Sequence, residues 1–466
     1  MASLTFLGAT GTVTGSKYLF KHENNSILVD CGLFQGLKEL RLRNWSPLKI
    51  DLNSLDAVVL THAHIDHSGF LPRLVRQGFN KTVYCTEPTR DLLEIMLLDS
   101  AHLQEEDARY ANKKGSSKHK PALPLYTIED AQQAIKLLKG IPYDTTFQAA
   151  PGIRVSFLDA GHIMGSSFVV AEWKASDGDR KIVFSGDLGR YKRPILKDPT
   201  TVKNADYLLV ESTYGDRLHE QKDPADELKR IIKQTISRKG VVLIPAFAVG
   251  RTQELLYRIR ELEDKGEIPV LPVYVDSPMA IRTTKLYERY SEFYDNKASL
   301  LHEKGTDILQ TTRMEFTESV EDSKRINALD EPCIIISASG MLTGGRILHH
   351  LIQRLPRTKH TVVFVGYQAE GTRGRALQSG KDSIKIHGMQ IKAAAKIETI
   401  SDLSAHADYN EILSWLGQFE MPPKRTFIVH GEPDASRALQ ERIGETLAWT
   451  HMCHNMKKSL PWNRSV

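Results

Sequence analysis

Short apolar runs separated by turn residues fill the first two hundred positions of the chain. Leu4–Leu7, Lys17–Phe20 and Ser26–Val29 read as strands, and Ala57–Leu60 is an unbroken apolar run typical of a buried strand. Helical spacing covers Leu92–Tyr110 and Ile128–Leu138. Strand patterns return at Arg154–Leu158, Ser167–Trp173, Lys181–Ser185 and Tyr207–Val210. Many strands with few helices between them predict stacked sheets flanked by helices, not a regular doubly wound sheet.

From about Thr213 the rhythm changes. Val241–Ile244 turns through Pro245–Gly250 into the helical pattern Arg251–Arg260, and Val270–Val275 passes through Asp276, Ser277 and Pro278 into Ala280–Tyr290. Ile334–Ser337 leads through Gly340–Gly345 into Arg346–Arg354, and Val362–Val365 leads into the glycine-rich Gly366–Gly374. Recurring strand, turn and helix predict a parallel α/β domain. Tyr294–Thr312 reads as a polar connection and Met314–Leu329 as an amphipathic helix. After Ala395 the pattern is strand (Lys396–Ile400), helix (Tyr409–Leu416), strand (Thr426–His430) and helix (Ala435–Leu447).

Composition narrows the class only slightly. Hydrophobic content of 41% with 26% charged residues excludes disorder or coiled coil as the main state. A net charge of +5 permits an anionic partner without demanding one. Cys31, Cys85, Cys333 and Cys453 lie far apart, with no C-x-x-C spacing, and read as reduced, mostly buried thiols of a cytoplasmic protein. No window approaches the ~20 apolar residues of a membrane span, so no membrane partner is expected. Lys113, Lys114, Lys118 and Lys120 read as a solvated loop.

The segment Thr61-His62-Ala63-His64-Ile65-Asp66-His67-Ser68-Gly69 directly follows the buried run. His62, His64, Asp66 and His67 stand where a strand ends and the backbone can curl around an ion. Zinc accepts imidazole nitrogen and carboxylate oxygen alike. Gly161-His162 and Gly186-Asp187 also follow strands, and His430 closes Thr426–Val429. Any one of them alone would more often be structural. Beside the first motif, they read as the remaining ligands of two metal sites.

Leu28-Val29-Asp30-Cys31-Gly32, His62 to His67, Gly161-His162 and Ser185-Gly186-Asp187 resemble the successive metal-site motifs of the metallo-β-lactamase fold. Val210-Glu211-Ser212-Thr213-Tyr214-Gly215, Ser404-Ala405-His406-Ala407-Asp408 and Val429-His430-Gly431 are similar to motifs A, B and C of the β-CASP nucleases. The type most resembled is the short bacterial ribonuclease, related to the nuclease subunit of the pre-mRNA 3′-end cleavage factor. The resemblance covers nearly the whole chain. It implies an α/β fold, a metallo-β-lactamase αββα sandwich built from residues 1–212 and 396–466, with a β-CASP α/β cap inserted at 213–395. It also implies one Zn²⁺ on His62, His64 and His162, a second on Asp66, His67 and His430, and Asp187 bridging both. Mn²⁺ or Fe²⁺ would suit the same donors. His430 meets Asp66 only if the end of the chain returns to the first domain.

Two such ions outweigh Asp66, Asp187 and a bridging hydroxide by one positive charge, which suits an anionic phosphodiester. With Asp66 and Asp187 in the catalytic set, His406 at a strand-to-helix turn is the expected general acid. Glu211 would orient it and raise its pKa, and Asp30 would accept a hydrogen bond from a ligand histidine. Ser339 and Gly340 match a phosphate-contacting loop of the family, and Arg251 and Arg373 are further candidates for RNA phosphates at glycine-rich βα turns.

The implied function is a zinc-dependent ribonuclease that hydrolyses single-stranded RNA with a metal-bridging hydroxide and leaves 5′-phosphate ends. Endonucleolytic action in RNA processing or decay is expected. A DNA-processing β-CASP nuclease is the alternative, although His430 stands where that branch typically has Val. A small-molecule hydrolase on the lactamase fold is opposed by the large inserted cap, and a non-catalytic RNA-binding scaffold by the complete ligand set. Leu403 departs from the aromatic residue usual at its position. A homodimer is compatible with the sequence.

Overall fold

Alternation along single strands builds the first layers. In Ala2–Phe6 every second side chain is buried, and Ile153, Val155 and Phe157 repeat the same period-two pattern. In Ser167–Ala175, Val169, Ala171 and Trp173 join one core cluster while Phe168 and Val170 join another, so this strand is covered on both faces. The computed structural model describes residues 2–115, 117–219, 223–366, 368–453 and 460–461. It divides into two units, Met1–Arg193 with Lys197–Leu218 and His406–Val466, and Pro194–Leu196 with His219–Ala405.

The first unit holds two seven-stranded sheets. One runs Leu460–Pro461, Ala2–Phe6, Tyr18–His22, Asn25–Val29, Ala57–Val59, Val83–Thr86, Leu138–Ile141, antiparallel up to Asn25–Val29 and parallel beyond it. The other runs Met452–Cys453, Arg425–Val429, Tyr207–Glu211, Gly178–Phe184, Ser167–Ala175, Ile153–Asp159, Phe147–Ala150. Leu4, Phe20, Val29 and Val59 from the first sheet share one buried cluster with Val155, Val169, Ile182, Leu209 and Phe427 from the second. The outer face of the second sheet is covered by Ile412 and Trp415 of Tyr409–Leu416 and by Leu439 and Ile443 of Pro433–Leu447. The expected sandwich is therefore present, and both ends of the chain contribute to it.

The second unit is a six-stranded sheet, parallel throughout, in the order Met314–Phe316, Val273–Val275, Ile334–Ser337, Val242–Pro245, Thr361–Phe364, Lys396–Thr399. Val242 and Ile244 belong to one core cluster, Val241 and Leu243 to another, as expected of a parallel sheet buried on both faces.

Several expectations are corrected. Lys396–Thr399 pairs with Thr361–Phe364, and the units change over between Ala405 and His406, ten residues later than the pattern suggested. Ser212 Oγ donates to Val429 O at 2.9 Å and accepts from Ser436 Oγ at 2.8 Å, which keeps residues just past 212 in the first unit, up to Leu218. Met314–Leu329 is a short strand, Met314–Phe316, followed by the helix Val320–Ala328, whose N-cap Ser319 accepts a hydrogen bond from Asp322 N. The polar connection after Tyr294 contains the helix Asn296–Glu303. Leu403 is fully buried in the second unit's core, where an aliphatic side chain suffices. The four cysteines are free thiols. Among the described residues no helix is long and apolar enough to cross a membrane.

Candidate metal centre

Three parallel strands of the second sheet deliver their carboxyl ends to one place. Arg425–Val429 pairs with Tyr207–Glu211 in the register Glu211↔Val429, and Tyr207–Glu211 pairs with Gly178–Phe184. Asp187, Glu211 and His430 therefore emerge side by side. From the facing sheet, Ala57–Val59 releases His62 and His64, and His64 caps the single helical turn Ile65–Ser68 that carries Asp66 and His67. A close backbone approach fixes that turn. Gly32 lies so near Asp66 that a Cβ there would sit 1.6 Å from the Asp66 carbonyl oxygen. Gly186, at φ +53, turns the chain before Asp187, and a Cβ would meet Thr61 Cβ at 2.7 Å.

Asp187 is the centre of the cluster. Its Oδ1 lies 3.1 Å from His67 Nε2 and 3.5 Å from His430 Nδ1, and its Oδ2 lies 3.4 Å from His62 Nε2, 3.5 Å from His162 Nε2 and 3.9 Å from His406 Nδ1. Both carboxylate oxygens are buried, yet neither has a hydrogen-bond donor. The imidazoles also face one another nitrogen to nitrogen: His62 Nε2 to His64 Nδ1 at 3.1 Å, His162 Nε2 to His64 Nδ1 at 3.3 Å, His67 Nε2 to His430 Nε2 at 3.1 Å. His430 Nε2 is 3.4 Å from Asp66 Oδ2. The donors fall into two sets, His62, His64, His162 and Asp187, and Asp66, His67 and His430.

This arrangement is complementary to a cation. Orphaned carboxylate oxygens and converging imidazole lone pairs are costly alone and complementary to a divalent metal. Burial and neighbouring His67 push the His62 pKa down to about 3, and burial pushes His64 down to about 4, so both rings are neutral as ligation requires. Burial opposes ionisation of Asp187, but His430, His67 and His406 around it hold its pKa well below the usual range. The residues fit a metal.

Behind the donors sit further acceptors and donors. Asp30 Oδ2 lies 2.7 Å from His67 Nδ1, and Asp30 Oδ1 accepts from Thr61 N at 2.8 Å. Thr61 Oγ1 is 3.0 Å from His62 Nδ1, and Thr213 Oγ1 is 3.2 Å from His430 Nδ1. Sequence reasoning missed both threonines, although each stands inside a quoted motif. His406 Nδ1 lies 3.2 Å from both oxygens of fully buried Glu211, which also accepts from Leu188 N at 2.6 Å. Burial works to lower the His406 pKa, but Glu211 and then Asp187 raise it to about 9. Asp408 starts the next helix with a capping box to Glu411, leaving His406 in the preceding turn.

The phosphate candidates all lie in the second unit, and two of them are otherwise engaged. Arg251 is buried and donates through Nη1 to Glu254 Oε2 at 2.5 Å, so its charge is already met. Arg373 donates through Nε to the carbonyl of Lys385 (2.7 Å) and through Nη1 to those of Leu342 (3.0 Å) and Thr343 (3.2 Å), bracing the loop that contains Ser339 and Gly340. Ser339 Oγ is 2.9 Å from Thr343 Oγ1, and Gly340 packs on Phe247.

Histidines and carboxylates gathered at the strand ends of this sandwich define a metal-dependent hydrolase. The chain belongs to the metallo-β-lactamase superfamily and, within it, to the β-CASP family. Residues 10–227 match the metallo-beta-lactamase superfamily, 252–377 the Beta-Casp domain, and 390–453 the Zn-dependent metallo-hydrolase RNA specificity domain. The chain is 36% identical to Ribonuclease TTHA0252 of Thermus thermophilus, over 93% of its own length and 94% of that protein's. It is 32% identical to the transcription termination factor FttA of Methanosarcina mazei, over 95% of this chain and 69% of that one. A crystal structure of a protein of unknown function from Enterococcus faecalis V583 shares the fold, with a TM-score of 0.50 at 14% identity, covering 93% and 95% of the two chains.

Proposed function

We propose that the protein is a two-zinc ribonuclease that hydrolyses single-stranded RNA in the cytoplasm, cutting internally and leaving 5′-phosphate ends. The observation that carries this reading is the buried Asp187, whose two oxygens face separate donor sets with no protein hydrogen bond of their own. The RNA specificity domain match and the ribonuclease relative support RNA as the polymer. Bound zinc would supply Lewis acidity toward the phosphodiester and activate water.

The chain's own residues do the rest. His62, His64 and His162 would hold one ion, Asp66, His67 and His430 the other, and Asp187 both. Asp30 and Thr61 keep His67 and His62 turned toward the centre through their Nδ1 atoms. Glu211 takes His406 Nδ1, which orients the ring and favours its protonated form. His406 would then deliver a proton through Nε2 to the departing oxygen. Ser339 and Gly340 would contact phosphate.

The test is digestion of 5′- and 3′-labelled single-stranded RNA by the metal-loaded protein and by Asp187→Ala. Internal fragments with 5′-phosphates that vanish in the variant are expected, and a single deoxynucleotide at the scissile position should not block them. Absence of cleavage by the metal-loaded wild type, or cleavage of DNA alone, overturns the proposal.

A further inference from the structure

The first unit buries a lysine that the proposed mechanism does not use. Lys17 is 1% exposed, and its Nζ lies 4.6 Å from the centre of the Phe34 ring and 4.9 Å from that of Phe70. Nζ donates to the carbonyls of Gly15 (3.3 Å) and Gly32. Among the described residues no other group donates to either carbonyl, and no carboxylate forms an ion pair with Lys17. A buried ammonium without a counter-ion is costly, and burial lowers the pKa of this one to about 8. A methionine of nearly the same length would fill the space without that cost.

The two carbonyls belong to the segments that carry the ligand turn Ile65–Ser68. Ser16 N donates to Asp66 O at 2.9 Å, Cys31 N to His67 O at 2.7 Å and Leu33 N to Ile65 O at 2.9 Å. Three successive carbonyls of the turn therefore hang from residues 16, 31 and 33. Gly32 N donates to Ser16 O at 3.0 Å, which ties the two supporting segments to each other, and Lys17 Nζ ties them a second time. Ser16 Oγ also lies 3.5 Å from His67 Nε2. Other donors of the centre are held elsewhere. His62 Nδ1 faces Thr61 Oγ1, and His162 N donates to Ser166 Oγ at 3.0 Å.

We infer that Lys17 is a positioning residue for the metal site of Asp66, His67 and His430: by bridging the Gly15 and Gly32 carbonyls it fixes the backbone that presents Asp66 and His67. The inference rests on the two-zinc reading above. Without a donor between them, two buried carbonyls are left unsatisfied, and the segments that bear them gain by moving apart or admitting water. Gly32 passes such a shift straight to Asp66, because the two backbones touch where even a Cβ would lie 1.6 Å from the Asp66 carbonyl oxygen. His62 and His162 do not depend on these segments, so the effect falls on one donor set and not on both. Lys17 touches neither metal nor substrate in this account. It acts through the turn, as groups behind metal ligands commonly do.

The experiment is a stepwise Co²⁺ titration of the full metal-free chain, followed by visible absorption, with zinc content measured in parallel at buffered free Zn²⁺. Wild type is expected to take up two ions. Lys17→Met should take up the first with an unchanged spectrum and bind the second at least tenfold more weakly. Leu4→Ala, a core change in the same unit, should lower the melting temperature and keep both ions. That control separates positioning from general destabilisation. Two ions bound equally tightly by Lys17→Met overturn the inference alone, and so does loss of the second ion in Leu4→Ala as well. A Lys17→Met chain that circular dichroism shows unfolded makes the residue structural and also overturns it. A single ion in wild type overturns the two-zinc reading itself, and the inference with it.

Discussion

Asp187 and Asp276 are both essentially inaccessible carboxylates that follow strands of the two units, and their surroundings are opposite. Asp276 is saturated. Oδ1 accepts from Thr317 Oγ1 and Arg346 Nη1, both at 2.8 Å, and Oδ2 accepts from Ser323 Oγ at 2.7 Å and lies 2.7 Å from His350 Nε2. Asp187 has five imidazoles within 4 Å and no hydrogen bond to either oxygen. Burial alone therefore does not mark a functional carboxylate. What distinguishes the two is whether the protein itself completes the coordination. Asp276 closes a structural network, and Asp187 faces converging imidazoles in a set of groups that could hold a metal ion.

This contrast can be broken most sharply at Asp187. Asp187→Ala should lower RNA cleavage by about 10³-fold or more, since several kcal/mol of transition-state stabilisation are lost with the metals. Bound zinc, read by elemental analysis, should fall in parallel while the fold persists. A fully metallated variant would place Asp187 in the same class as Asp276. The reciprocal change, Asp276→Ala, should cost stability instead. Stranding Arg346 and His350 without their partner is expected to destabilise the second unit by about 3–5 kcal/mol in urea unfolding, with metal content unchanged.

Smaller effects sharpen the same distinction. Asp30→Ala frees His67 to rotate and should reduce metal affinity or turnover by about 10–100-fold, measured by competition with a chelating dye. The smallest expected effect is one of pH. Burial disfavours ionised Asp276, but its bonds to His350, Ser323 and Arg346 hold its pKa down at about 2. A depressed carboxyl contributes stability that is complete above the ordinary aspartate pKa of about 4 and is lost as pH falls toward 2. The stability gap between wild type and Asp276→Asn should therefore narrow across that window. A gap that stays constant down to pH 2 would rule out titration of Asp276 as its source.

How much of this was legible in the sequence depends on how local the signal is. His62, His64, Asp66 and His67 could be read directly because one strand end and one helical turn present all four. His162, Asp187 and His430 are legible only beside that first motif, as strand ends that repeat its chemistry. The bare pattern of strand end followed by Asp selects Asp276 equally well, and only the neighbours reveal that it is satisfied. Arg251 and Arg373 show a related gap between pattern and structure. A glycine turn shows where backbone amides are exposed, not where a long side chain spends its donors. Met314–Phe316 had helical spacing, but pairing with Val273–Val275 made it a strand.

The insertion of the second unit between two halves of the first has a consequence during synthesis. His62 to Asp187 leave the ribosome long before His430, with the whole of His219–Ala405 translated in between. Strand Arg425–Val429 must then slot in beside Tyr207–Glu211 before Asp66 and His67 gain their third partner. A nascent chain stalled anywhere upstream of His430 would carry an incomplete centre. The second donor set would thus be completed only when translation is nearly finished, an order imposed by the chain itself.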